Sequence, residues 1–150
     1  MLDYNSPAVQ SSLTILQDVI ARMAANSASA KTWCIALVSA ILVLLTDRPV
    51  PALIIIALVP VLLFCLLDTY YLALEKDFRD RYNDLVDKIH EGKAELHDMF
   101  VVLPPGHKPP TRQSASNALT SLAIWPFYTI LILLLIVVWL VVIIWFPPPA

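Results

Sequence analysis

From Leu122 to Phe146 the chain is apolar except for Pro126 and Thr129, and no other feature narrows its possible folds so far. An α-helix rises about 1.5 Å per residue and bilayer hydrocarbon is about 30 Å thick, so roughly 20 apolar residues reach across it. Backbone polar groups find no water there, which obliges the segment to satisfy them internally as a helix. The block is longer than the average hydrocarbon thickness, implying tilt or an interfacial first turn, and Pro126 near its start is tolerated or introduces a bend.

Two further blocks share this character. Trp33 to Leu45 is apolar apart from Ser39, and Val50 to Leu67 carries no charge. A soluble fold could bury a composition of 59% hydrophobic and 15% charged residues only if the apolar ones were spread over periodic faces; here they are concentrated. The expected fold is therefore an all-α membrane protein with three transmembrane helices. Thr46-Asp47-Arg48-Pro49-Val50-Pro51 leaves room only for a tight polar turn, so residues 30–74 read as an antiparallel transmembrane hairpin. The first apolar core is short, and a hairpin dipping into one leaflet is the alternative. The length of the second block favours full crossing, as does the Asp47-Arg48 pair, which gains by reaching water.

Basic residues set the orientation, because Lys and Arg are retained on the cytoplasmic side of short membrane loops. Arg22 and Lys31 precede the hairpin, Arg48 stands alone at its tip, and Lys76, Arg79, Arg81, Lys88, Lys93, Lys108 and Arg112 precede the last span. That places the N-terminus inside, the hairpin tip outside, residues 75–120 inside and the 147–150 tail outside. Tyr70, Tyr71 and Trp125 fall at the inner boundary and Trp145 at the outer one, as interfacial aromatics do. Trp139 either faces lipid or packs between helices. The first thirty residues lack the pattern of a cleaved signal peptide, so the first span is expected to carry targeting.

Outside the spans the pattern is amphipathic. Ser6 and Pro7 read as the N-cap and first position of a helix. Val9, Leu13, Leu16, Ile20 and Met23 then form a single apolar stripe within an N-terminal amphipathic helix over residues 1–29. A central amphipathic helix is expected over residues 75–103, its seam running through Phe78, Tyr82, Leu85, Ile89, Gly92, Leu96, Met99 and Leu103. Glu75 with Arg79, Asp77 with Arg81 and Asp84 with Lys88 are acid-first pairs worth about 0.2 to 0.5 kcal/mol each. Asp80 with Asp84 and Asp87 with Glu91 oppose them by similar amounts, so the apolar stripe requires a partner. The N-terminal stripe is a match, within one chain or between subunits; Phe78, Tyr82, Leu85, Ile89 and Leu96 are the candidate interface residues. The prolines and Gly106 of residues 104–121 form an elbow with a short interfacial segment leading into the third span at 122–146.

Chemistry-bearing motifs are scarce. The net charge of -2 gives no general attraction for nucleic acid, and the two glycines could scarcely supply phosphate-binding loops. Cys34 and Cys65 have neither scaffold nor metal-ligand spacing and read as packing residues. His90 and His97 would share a helical face about 10 Å apart, too far for one metal ion, and His107 is no more specific. No catalytic, cofactor-binding or metal site is expected. Asp68 stands out, because it lies within or at the edge of hydrocarbon, where an unpaired charge costs at least about 2.5 kcal/mol. It reads as a polar lining, a gate or an intersubunit hydrogen bond, or else as an interfacial residue that reaches water or pairs with Arg22, Lys31 or Lys76. The third span has neither charge nor a Gly-x-x-x-Gly motif, and Thr129 is read as its only core hydroxyl. An intramembrane enzyme would need at least two polar groups at compatible depth, which Asp68 alone does not supply.

Arg22-Met23-Ala24, Asn26-Ser27, Lys31 and Trp33, followed by Leu67-Asp68, Tyr70-Tyr71-Leu72, Leu74-Glu75-Lys76, Phe78-Arg79 and Tyr82-Asn83, resemble a family of small, uncharacterised bacterial multi-span membrane proteins. These look related in layout to the transmembrane effector domains of anti-phage and nucleotide-signalling systems, the SMODS- and SLOG-associated types. The likeness covers roughly residues 15–90, and the third span departs from a two-span layout. It implies a non-enzymatic protein of the bacterial inner membrane that self-associates and perturbs the membrane in anti-phage defence. The alternative is a membrane adaptor or structural subunit that recruits a cytoplasmic partner. Either way the expected partners are the lipid bilayer and a second copy or a cytoplasmic protein, with no nucleic acid and no cofactor.

Overall fold

The computed structural model describes residues 6–47, 51–101 and 112–145. Among them every regular element is helical: α1 (Pro7–Asp47), α2 (Pro51–His90), a 3-10 turn (Leu96–Asp98), α3 (Arg112–Leu119) and α4 (Trp125–Trp145). Three helices, α1, α2 and α4, are long and apolar enough to cross a membrane. The chain is a helical membrane protein.

At about 1.5 Å per residue, the 41 residues of α1 and the 40 of α2 each extend about 60 Å, twice the hydrocarbon thickness. Each carries a span and a water-facing continuation without a break, so the expected divisions at 29/30 and 74/75 fall inside continuous helices. α4, with 21 residues and about 30 Å, matches the hydrocarbon alone. Its helix opens at Trp125, after a turn in which the Ile124 amide donates to the Ser121 carbonyl at 2.9 Å. Pro126 therefore stands in the first turn, where its missing donor removes no helical bond. The start of α1 follows the sequence reading: Ser6 Oγ accepts from the Val9 amide at 3.3 Å.

One register joins α1 and α2 over their whole length. Ser12, Leu16, Ser27, Ala30, Cys34 and Val38 are buried on α1, and Ile54, Ala57, Val61, Asp68, Leu72, Glu75, Phe78, Leu85 and Ile89 on α2. Steps of three and four keep one face of each helix toward the other in an antiparallel pair. In the apolar half, Ala30, Cys34 and Ala57 are small enough to let the backbones approach, as association within lipid requires. Pro60 lies inside α2, where neighbouring helices make such a residue tolerable. α4 packs on α2, and α3 is tied to it where the Lys76 ammonium donates to the Asn117 carbonyl at 3.3 Å.

The seam expected to reach Leu103 stops at His90. Gly92 takes a left-handed backbone (φ 67) and the Lys93 amide donates to the Lys88 carbonyl at 2.9 Å, a glycine-terminated helix end. The chain then folds back, and Met99 packs with Val9, Leu16, Leu85 and Ile89 in a second apolar cluster, separate from that of the spans. The Phe100 amide donates to Ser12 Oγ at 2.6 Å, fixing the returning segment to α1 with Phe100 itself at φ 62. A β-carbon makes that backbone region costly by about 1 to 2 kcal/mol. Residues 48–50 at the hairpin tip, residues 102–111 with Leu103 and the prolines and Gly106 of the elbow, and residues 146–150 with the tail lie outside the described residues.

Candidate functional site

The polar residue singled out by the sequence, Asp68, is fully buried at 0% exposure between the helices. Placing a carboxylate there demands compensation, and α1 provides it from two positions four residues apart. Ser27 Oγ donates to Asp68 Oδ1. The Lys31 ammonium lies 2.5 Å from Oδ2 and donates to Ser27 Oγ at 3.2 Å. Lys31 thus meets Oδ2 as an ion pair while Ser27 occupies Oδ1. Of the three cations expected as partners, the structure places Lys31 at the carboxylate, while Arg22 is exposed and Lys76 reaches Asn117.

α4 contributes a third wall. Tyr128 is buried in its first turn, and its hydroxyl interacts with Asp68. Thr129, the expected core hydroxyl, is exposed instead; its neighbour Tyr128 is the buried one. Since Tyr128 lies within about one helical turn of the start of α4, the cluster sits at one edge of the hydrocarbon. Lys31 keeps 21% of its side chain exposed, so its ammonium reaches from a dry site toward the headgroups. Deeper by one turn, Cys34 and Cys65 are free thiols on the facing helices. Thr69 donates to the Cys65 carbonyl at 2.7 Å and so takes no part in the ion pair.

The chemistry open to this cluster is limited by its helices. A serine beside a lysine can serve as nucleophile and base, but here the Ser27 proton goes to Asp68 and the Lys31 ammonium holds the carboxylate. The amides around Ser27, Lys31 and Asp68 lie within unbroken helices and are committed to helical bonds, leaving no donor pair for an oxyanion. What remains is charge compensation and hydrogen bonding.

The candidate interface residues divide into two groups. Phe78, Leu85 and Ile89 are buried, and Tyr82 is half-buried, its hydroxyl accepting from Gln17 Nε2 at 3.2 Å. Leu85 and Ile89 face Val9 and Leu16 of the same chain. Leu96 stands apart from them, beyond the end of α2 and 75% exposed. His90 closes α2 while His97 sits in the following turn, so the shared helical face expected for them does not form. Glu75 pairs with Arg79 at 2.7 Å and Asp84 with Lys88 at 3.3 Å, as the spacing predicts.

Ser27 and Tyr128 were not evident as partners of Asp68. Ser27 carries a weak signal, standing one turn before Lys31 on a single helical face. Tyr128 could be found only as a hydroxyl inside an otherwise apolar span. Trp139 is exposed, and with Ile54, Leu58 and Leu135 it lines an apolar groove of about 290 Å³ between α2 and α4. Comparison with protein families, curated proteins and solved structures yields no match to this chain.

Proposed function

We propose that this is a non-enzymatic protein of the bacterial inner membrane that self-associates and acts on the bilayer, with its N-terminus cytoplasmic and its C-terminus outside. The single observation carrying this reading is the continuity of α1 and α2 from the spans into a paired water-facing stalk, pinned at the boundary by Lys31 and Asp68. Two helices that run unbroken through the boundary transmit a displacement of the stalk into the hairpin. The excess of Lys and Arg in the stalk supports its cytoplasmic placement. The resemblance to transmembrane effector domains supports a role in anti-phage defence, with an N-terminal amphipathic helix and a central one as the regulatory arms.

The test is membrane potential and dye entry in bacteria expressing the chain, with and without phage challenge. Depolarisation during challenge, lost in Asp68→Leu at equal membrane abundance, is the expected result. An intact barrier under challenge contradicts the membrane-acting role.

The burial of Leu85 and Ile89 against α1 favours a second reading, a membrane adaptor that recruits a cytoplasmic partner. In that case the exposed Leu96 and Phe100 beside the end of the stalk form the contact. Paired substitution of Leu96 and Phe100 by Ser would abolish partner capture while leaving the barrier unchanged, whereas the effector reading predicts no change in depolarisation from the same pair.

A further inference from the structure

On one flank of their seam α1 and α2 form a groove of about 190 Å³, walled by Asn26, Ser29 and Trp33 of α1 and by Phe64, Leu67 and Tyr71 of α2. Its walls are sorted by depth. Ser27 and Asp68 meet at the hydrocarbon edge. From that level, at about 1.5 Å per residue, Trp33 lies about 9 Å and Phe64 about 6 Å toward the lipid, while Asn26 and Tyr71 lie about 1.5 and 4.5 Å toward water. The deep end is therefore apolar and aromatic, and the shallow end offers an amide, a hydroxyl and a phenol. Trp33 is 63% exposed, so the deep end opens into the acyl layer.

Arg22 stands one turn before Asn26 on the same face of α1, about 7.5 Å to the water side of Ser27. The headgroup layer is roughly 5 to 8 Å deep on each side of the hydrocarbon, which puts Arg22 at the level of lipid phosphates. Arg22 is exposed and has neither ion pair nor hydrogen bond among the described residues. Asp18 lies one turn further toward water, and Glu75, the acid on the facing stretch of α2, is already paired with Arg79 at 2.7 Å. A free guanidinium thus overlooks a groove whose polarity falls with depth.

We propose that this groove binds one phospholipid of the bilayer. Arg22 takes the phosphate, whose oxygens match its planar fork of donors. Asn26, Ser29 and Tyr71 meet the glycerol and ester layer, and one acyl chain lies across Leu67, Phe64 and Trp33. A phospholipid carries charge, ester and chain in this order along the membrane normal. An apolar helix laid in the same groove would leave Arg22, Asn26 and Ser29 without partners, and a free phosphate ion would leave the deep end empty. Lipid held in this way ties α1 to α2 on the flank of the Lys31–Asp68 pair. The inference rests on the boundary at Asp68 and not on the proposed function.

Native mass spectrometry of the full chain tests it, with release from micelles that contain equimolar dioleoyl phosphatidylglycerol and dioleoylglycerol, which has the same chains and no phosphate. Wild type is expected to retain one phospholipid per chain in preference to the neutral lipid. Arg22→Gln is expected to weaken phospholipid retention about fivefold, the upper end for an exposed charge pair, and to leave the neutral lipid unchanged. Ser29→Phe, which fills the groove from an exposed position, is expected to remove both. Lys93→Gln, at the far end of the stalk, removes the same charge and is expected to change neither. Equal retention of the two lipids by wild type overturns the proposal, as do equal effects of Arg22→Gln and Lys93→Gln, or a second copy of the chain retained in place of lipid.

Discussion

The two ends of the α1–α2 pair use the same register against different solvents. At the stalk end, Val9, Leu16, Leu85, Ile89 and Met99 leave water on burial, and the helices associate through the hydrophobic effect. In the spans the alternative to contact is lipid, as apolar as the contact itself, so Ala57 and Cys34 hold the helices by close approach. The polar groups are arranged oppositely as well. A stalk ion pair such as Lys88–Asp84 lies at a wet surface and contributes little, whereas the pair at the membrane edge compensates a carboxylate with no exposure at all. A sequence pattern of threes and fours thus specifies the geometry, and the surrounding medium decides which substitutions matter.

That contrast is broken first at Lys31. Removing one partner of a buried ion pair is costly by about 3 to 5 kcal/mol, so Lys31→Met is expected to give the largest loss of stability. The double variant Lys31→Met/Asp68→Leu is expected to recover most of it, as read by unfolding in mixed micelles. Recovery by the double variant is the discriminating result, because a merely crowded site would worsen.

Leu85→Ala probes the other end. Truncation in a packed cluster is costly by about 2 to 5 kcal/mol, and amide hydrogen exchange is expected to rise in residues 7–20 and 80–100 while the spans stay protected. Exchange rising equally in α4 would mean that the two ends are one cooperative unit.

How much of this was legible in the sequence follows from the same contrast. The spans announced themselves because dehydrating a peptide group leaves only helix as an answer, and Asp68 was conspicuous as a charge among apolar neighbours. The stalk stripes were legible through periodicity, which left open whether they would meet within one chain or between subunits. The end of α2 was misplaced because an apolar residue recurs at Leu96 and Met99 in helical register; Gly92 overrides that rhythm with its left-handed backbone. Tyr128 escaped because a hydroxyl on an apolar ring reads as either lipid-facing or buried until α4 has been docked. Nothing in the one-dimensional pattern says which face of α4 meets α2.

Tyr128→Phe sharpens the contrast on a smaller scale. Polar contacts between membrane helices average about 0.6 kcal/mol, so the variant is expected to be nearly as stable as wild type by unfolding. A loss comparable to that of Leu85→Ala would show the hydroxyl to be firmly bonded.

The smallest effect belongs to Asp98 in the returning segment. Its carboxylate accepts from the Glu95 amide at 3.1 Å and then from Lys88 at 3.2 Å, which together hold it below the ordinary value of 3.8 despite opposing burial. A depressed folded-state value stabilises the segment above pH 3.8 and withdraws that contribution as pH falls through the lower folded value. Hydrogen exchange of residues 95–101 is expected to accelerate only below that range, and Asp98→Asn to remove the dependence.

The central claim is that one unbroken helix pair passes from lipid to water near Lys31 and Asp68. Spin labels along the exposed face of α2, at Ile55, Val59, Leu62, Leu66, Tyr70, Arg79, Asn83 and Asp87, test it in nanodiscs in a Cys34→Ala/Cys65→Ala background. Accessibility to oxygen is predicted to dominate from Ile55 to Leu66 and accessibility to a polar nickel chelate from Arg79 to Asp87, with the crossover near Tyr70. High nickel accessibility at Val59 and Leu62, or oxygen-dominated accessibility continuing to Asp87, would contradict it.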